Sequence, residues 1–209
     1  MSYAKTTQKS SLLEYAVVTD DVAPRFMHVP THNTRLANHF MSLDAFKTGS
    51  DVANGFLKAH NDYRAAHGAA PLAWDDALAT ASDAYASKCV YGHDKNRGDN
   101  IGENIYASGS SAPLTTTDPS WPGKSTKAWY DEIKDWNFAT SASNGGVTGH
   151  FTQVVWKTTT KVGCAVANCP GMLMANSIFV VCRYSPAGNF MCPTCNPPST
   201  YAINVPPKK

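Results

Sequence analysis

The chain has 209 residues, 43% of them hydrophobic and 16% charged, with a formal net charge of +2. That suffices for one domain with a sizeable core and some extensions. With no cluster of lysine or arginine it offers no electrostatic case for a nucleic acid or an acidic membrane, and no stretch is long and apolar enough to be a transmembrane segment.

Residues 1–50 are weakly periodic, with Asp20-Asp21 as turn formers and breakers at Pro24 and Pro30. Leu12, Leu13, Tyr15, Val17 and Val18 could add a small strand or helix, but an irregular N-terminal extension is expected over residues 1–50. Order begins at Asp51, placed to N-cap a helix over residues 51–67. Val52, Phe56, Leu57, His60, Tyr63 and Arg64 fall near one face of that helix, and Gly68 stands as its stop. A second helix follows Pro71 with Asp75 as its cap; Leu78, Ala81, Ala84 and Tyr85 form its stripe, which runs towards Cys89. Residues 107–123 read as a long loop containing Pro113 and three threonines, and a connection of that length inside a domain is often functional. A third helix is expected over residues 125–136, carrying Ala128, Trp129, Glu132, Ile133 and Trp136 at helical spacing.

The stretch Gly149-His150-Phe151-Thr152-Gln153-Val154-Val155-Trp156 joins a Gly-rich loop to a run of β-formers, so a strand buried on both faces is expected there. Residues 161–167 and 177–184 are two further strand-like runs. Helices first and strands last argue for an α+β domain over residues 51–190 rather than a βαβ repeat. Residues 191–209 form a Pro-rich C-terminal tail, expected to be exposed and open to cleavage.

Six cysteines, five of them between Cys164 and Cys195, indicate disulfides and an oxidising compartment. Cys192-x-x-Cys195 resembles half a zinc site or a redox pair, but with no second pair at zinc-ribbon spacing a disulfide clip is the better reading. Residues 1–30 lack the apolar core of a signal peptide, so a secreted, extracellular location implies a leader already removed.

Four residues at the edges of these elements can carry chemistry. His93 lies in Cys89-Val90-Tyr91-Gly92-His93-Asp94, and Glu103 in Asn100-Ile101-Gly102-Glu103-Asn104-Ile105-Tyr106. Glu132 shares a helix face with Trp129, Ile133 and Trp136, and His150 heads the Gly149 stretch. Two imidazoles and two carboxylates serve general acid–base work or hold a divalent ion. An inward carboxylate such as Glu132 needs a partner, because burial unpaired is costly.

The phrases around these residues resemble a known superfamily. His60-Asn61-x-x-Arg64, Tyr91-Gly92-His93, Gly102-Glu103-Asn104-Ile105, Trp129-x-x-Glu132, the Gly149–Trp156 stretch, Val162-Gly163-Cys164 and Cys182-Arg183-Tyr184-Ser185-Pro186 are similar to the motifs of the cysteine-rich secretory, antigen 5 and pathogenesis-related class one proteins. The resemblance covers residues 52–190. It implies a three-layer α-β-α sandwich, disulfide-stapled around a central, mostly antiparallel sheet, with His93, Glu103, Glu132 and His150 converging in one cleft. It also implies a divalent ion, zinc or magnesium, with His93 and His150 as its ligands. Two nitrogens suit zinc, whereas magnesium favours oxygen and water. By the same resemblance Cys89 pairs with Cys169 and Cys164 with Cys182. A third bridge has no counterpart, since Asn100 and Ser185 stand at its positions, and Cys192 and Cys195 remain for each other or for another partner.

Three functions follow from the resemblance. The first is a secreted binder of sterol or fatty acid, with sterol held by a loop whose apolar members are Tyr106, Pro113, Leu114, Trp121 and Pro122. The second is a metal-dependent hydrolase using the four cleft residues, although no serine or cysteine nucleophile motif accompanies them. The third is a secreted defence or host-interaction protein that meets a host or cell-surface protein, or that releases a C-terminal signalling peptide.

Overall fold

A computed structural model describes residues 13–15, 43–191 and 200–209, with side chains from residue 51 onward. The elements in chain order are β1 (Leu13–Tyr15), α1 (Leu43–Ala66), β2 (Ala73–Trp74), α2 (Asp76–Ala86), β3 (Gly102–Ser110), α3 (Trp121–Tyr130), a 3-10 turn (Asp131–Asp135), β4 (Trp136–Asn137), β5 (Ala142–Ser143), α4 (Gly149–Val155), β6 (Lys161–Asn168), β7 (Asn176–Ser185) and α5 (Thr200–Asn204).

The central sheet runs β1-β3-β7-β6-β2, antiparallel throughout except for the β2–β6 pair. Strands β3 and β7 are buried on both faces, as expected of strands covered by helices on each side. On one face α2 packs Tyr85 and Ala86 against Ile105, Ala107, Phe179 and Val181. On the other, α1, α3 and α4 close over Tyr106, Val162, Ile178 and Val180 with Phe56, Trp129, Phe151 and Val154. The result is the α-β-α sandwich expected from the sequence.

Local chemistry explains each layer. Asp75 accepts the Leu78 N–H at 3.0 Å and so caps α2, satisfying one of the unpaired donors of a helix start. Gly163 lets α2 lie directly on β6, since a Cβ there would meet Asp75 O at 2.6 Å. Cys89–Cys169 ties the end of α2 to the end of β6, and Cys164–Cys182 links β6 to β7. Both bridges match the expected pairing; Cys192 and Cys195 lie outside the described residues. Where the third bridge is missing, Asn100 O accepts the Ala187 N–H at 2.9 Å and joins the same two segments.

Several expectations need correction. α1 begins at Leu43, so Asp51 lies within the helix and is not its cap. On α2 the buried face is Ser82, Tyr85 and Ala86, while Ala84 is exposed. The third helix starts at Trp121, with Pro122 in its first turn, and tightens into the 3-10 turn that carries Glu132. The loop over residues 107–123 shrinks to residues 111–120, because residues 107–110 continue β3 along β7. Leu13–Tyr15 is a strand, pairing with β3.

The C-terminal tail is not wholly exposed. Residues 200–209 dock on the α1 and α4 side: Val205 is buried, and Tyr201 meets the rings of Trp136 and Trp156 at 5.5 and 5.1 Å. Asn204 O accepts the Lys157 N–H and Ala66 O accepts the Lys209 N–H, each at 3.0 Å. Aromatic burial at Tyr201 holds a segment that composition alone makes a loose tail.

Candidate functional site

The stretch expected to be a strand is the short helix α4, buried along nearly its whole length. Seven residues make a marginal helix on their own, and β-branched Val154 and Val155 do not favour one. Groups from elsewhere hold its two ends. At the start, Glu132 Oε2 accepts the N–H groups of His150 at 2.9 Å and of Phe151 at 3.1 Å, doing the work of the N-cap side chain that Thr148 does not supply. At the end, the Arg64 guanidinium donates to the carbonyls of Val154 at 3.0 Å, Trp156 at 2.8 Å and Thr159 at 2.9 Å. A carboxylate at the N-terminus and a cation at the C-terminus both complement the helix dipole. Burial pulls the Arg64 pKa down to about 10, which leaves it charged at neutral pH.

Glu132 therefore has its partners, and they account for its inward position. Its second oxygen, Oε1, accepts from His150 Nδ1 at 2.6 Å. With Nδ1 donating, the neutral imidazole of His150 keeps its lone pair on Nε2. That atom is buried and has no hydrogen-bond partner among the described residues. Trp129 stacks beside the ring with centroids 6.4 Å apart, and Asn104 Nδ2 donates to His150 O at 3.1 Å.

The second pair is built the same way on different elements. Glu103, at the start of β3, accepts from His93 Nδ1 at 2.9 Å and from the Asp94 N–H at 3.0 Å through Oε1. Its other oxygen lies 3.5 Å from Arg183 Nε, and Arg183 also donates to Asp94 Oδ2 at 2.5 Å. Arg183 and Asp94 were quoted in sequence motifs without a role. The β3–β7 register, which sets Glu103 opposite Arg183, identifies the cation beside Glu103. The rings of His93 and His150 face each other at 6.4 Å, tilted by 30°.

These residues border a cleft of about 680 Å3 lined by His93, Glu103 and His150, with Asn104, Gln153 and Asn189. Gln153 Oε1 accepts the Gly188 N–H at 2.8 Å, and Asn189 Nδ2 donates to Gly149 O at 2.7 Å, so the segment after β7 is laced to α4. A Cβ on Gly102 would collide with Gln153 Oε1, which accounts for glycine before Glu103. Glu132 is not in the lining. It stands behind His150 and reaches the cleft only through that ring, so three of the four expected residues face the cleft.

Among the described residues no three His, Cys, Asp or Glu side chains converge as a metal-holding group. The cleft offers two imidazole nitrogens, each ring oriented from behind by a carboxylate.

The expected lipid loop is dispersed. Tyr106 lies in β3 and Trp121 opens α3, at 3% and 1% exposure, and Trp121 Nε1 donates to Thr115 O at 2.7 Å. Pro122 is buried against α1, where a Cβ on Gly55 would touch it at 3.0 Å. Only Pro113 and Leu114 lie on the connection, and Leu114 is partly buried against the core. The aromatics that looked suited to a flat ligand are spent on packing.

A family model described as the cysteine-rich secretory protein family (CAP) matches residues 57–184. The chain is 38% identical over 151 residues to peptidase inhibitor 16 of Mus musculus, covering 66% of this chain and 28% of that protein. It is 36% identical over 146 residues to the secreted protein RBT4 of Candida albicans, covering 68% of this chain and 37% of that protein. The chain thus spans well under two thirds of these relatives' length. Among solved structures, that of NaASP2 with Zn2+ is similar, with TM-score 0.55 and 25% identity over 77% of this chain and 87% of the other. No helix among the described residues is long and apolar enough to cross a membrane.

Proposed function

The chain belongs to the cysteine-rich secretory protein family, and from that premise we propose that it is a secreted protein whose cleft holds a divalent cation, zinc in preference to magnesium, between Nε2 of His93 and Nε2 of His150. The observation that carries this reading is His150 Nε2, a buried nitrogen with no hydrogen-bond partner among the described residues, on a ring that lines the cleft. A buried polar atom left unpaired is costly, and a cation supplies what the protein does not. Both imidazoles donate Nδ1–H to a carboxylate, the arrangement that fixes the tautomer and raises ligand basicity in zinc sites. Two nitrogens favour zinc over magnesium. The similar structure of NaASP2 with Zn2+ supports the choice, and the disulfides and the name of the Candida albicans relative support export.

When bound, such an ion would act as a Lewis acid or as an anchor for a ligand atom. The chain's own residues set the frame: Glu132 and Glu103 orient the rings, and Arg183 offsets the Glu103 charge. Hydrolysis finds less support, because both oxygens of Glu132 are committed to hydrogen bonds, and Glu103 Oε2, which makes no hydrogen bond among the described residues, is buried 3.5 Å from the Arg183 guanidinium. Sterol binding keeps only Pro113 and Leu114 of its five residues on the connection. Release of a C-terminal peptide would require undocking residues 200–209.

Calorimetric titration of the full chain with zinc tests the reading. Saturable binding that is lost in His150→Ala and not reproduced by magnesium is expected. Equal binding by wild type and His150→Ala would overturn it.

A further inference from the structure

The turn after β5 brings together polar groups that the cleft does not use. Asn144, Gly145 and Gly146 are exposed there. Asn137, on the facing strand β4, donates from Nδ2 to Asn144 Oδ1 at 3.3 Å. Its own Oδ1 accepts the N–H groups of Ala139 at 2.9 Å and Thr140 at 3.2 Å, which aims the amide at Asn144. Ser143 Oγ accepts the Gly145 N–H at 3.0 Å and donates to Gly146 O. Gly145 has a φ of +112°, a conformation open to a residue without a Cβ.

These contacts suit attack by one backbone nitrogen on the neighbouring side chain. A donor at Asn144 Oδ1 draws electrons from Cγ, and the Ser143 hydroxyl stands where it can take the Gly145 proton. The missing Cβ leaves that nitrogen unhindered. The same dipeptide occurs again at Asn54-Gly55, also with an exposed asparagine. That pair lies inside α1. There the helical ladder commits the Gly55 N–H to the carbonyl four residues back and holds ψ at about −42°. Exposure does not separate the two sites; the backbone does.

We propose that Asn144 is a site of spontaneous deamidation, a modification that Asn54 escapes. The Gly145 nitrogen bonds to Asn144 Cγ, and its proton passes through Ser143 Oγ to water. The side-chain nitrogen takes a proton from water and leaves as ammonia. Water then opens the cyclic imide at either carbonyl, giving aspartate or isoaspartate. Either product adds a negative charge to a turn packed on Asp135, where a Cβ on Gly146 would meet Asp135 Cγ at 2.5 Å. Isoaspartate also lengthens the main chain at residue 144, whose N–H donates to Asp135 O at 2.8 Å. Asp135 ends the 3-10 turn that carries Glu132, so the product marks aged protein beside the support of His150.

The test is peptide mass spectrometry of the full chain aged at neutral pH, folded and in denaturant. In the folded chain Asn144 is expected to convert at least about tenfold faster than Asn54, and in denaturant the two rates should converge. Asn144→Gln, whose longer side chain cannot close the same ring, should abolish the product at that position. Ser143→Ala should slow conversion at least about threefold; both positions are exposed, so the fold should tolerate either change. An Asn144 that stays intact in the folded chain, or that converts no faster than Asn54, overturns the proposal. An unchanged rate in Ser143→Ala overturns the part given to that hydroxyl. Trp136, paired with Ser143 across the hairpin, reports the consequence. Its indole NMR signal should move in the isoaspartate form, and an unmoved signal would overturn the link to the Glu132 turn.

Discussion

The two histidine–carboxylate pairs use the same atoms in opposite settings. His150 and Glu132 are 2% and 9% exposed at the side chain, and the carboxylate is anchored by the first turn of a buried helix. His93, on the loop after α2, is 23% exposed, and Glu103 is anchored by one loop N–H and by Arg183. One imidazole is fixed by core packing and the other by a surface loop. The difference assigns roles: His150 is the preset anchor of the cleft, and His93 is the partner that can adjust to what enters.

That asymmetry can be broken from either side. Glu132→Ala strands two backbone N–H groups and His150 Nδ1 in the interior, and should cost about 3–5 kcal/mol in urea unfolding, as removal of one buried charged partner does. A loss below 1 kcal/mol, on the order of a surface change, would show that α4 does not depend on Glu132.

The histidines without a carboxylate give the next contrast. His60 donates Nδ1–H to Phe56 O and accepts from the Tyr184 hydroxyl, each at 2.8 Å, and burial lowers its pKa to about 4 from 6.5. The unfolded chain takes up that proton near pH 6.5 and the folded chain only near pH 4. Stability is therefore full above pH 6.5 and should fall by about 3 kcal/mol as the pH drops to 4. His67, which donates to Pro206 O and accepts from the Tyr130 hydroxyl, is also lowered by burial and adds in the same direction. Unfolding free energies across that window check the sign, and His60→Gln should flatten the curve.

Glu103→Ala should cost less than Glu132→Ala, about 1–3 kcal/mol, because Asp94 still pairs with Arg183. Its larger effect should be on zinc, where loss of the orienting carboxylate typically weakens affinity about 10–100-fold. Smallest of the set, Asp75→Ala removes the α2 cap at the far side of the sheet and should cost about 1 kcal/mol with zinc affinity unchanged. A change in zinc binding there would mean that the pairs are not local devices.

What the sequence disclosed followed from locality. Asp75 as a cap and the strands β6 and β7 depend on neighbours within a few positions, and each is present; the expected order of helices before strands is not, because β1 precedes α1 and β3 lies between α2 and α3. His93, Glu103, Glu132 and His150 were found by residue type, context and resemblance. The α4 stretch failed because its helix is imposed from outside: Val154 and Val155 favour a strand, but Glu132 and Arg64 terminate a helix there through contacts far apart in the chain. Residues 107–110 looked like loop because Ser108, Gly109 and Ser110 are small and polar, and only pairing with β7 makes them strand. The placement of Tyr106 and Trp121 on a loop failed with it, since both belong to the core once β3 and α3 have their true bounds. The docking of residues 200–209 rests on Trp136 and Trp156 meeting Tyr201, which spacing along the chain cannot show.

The central claim is that both cleft imidazoles present Nε2 to a cation while Nδ1 stays bonded to a carboxylate. Imidazole nitrogen NMR on the 15N-labelled full chain, with and without zinc, reads those atoms directly. The account predicts that the Nε2 signals of His93 and His150 move on zinc addition, that their Nδ1 nitrogens stay protonated, and that His60 and His67 do not respond. Movement at Nδ1, or no movement at His93 and His150 at saturating zinc, would contradict it.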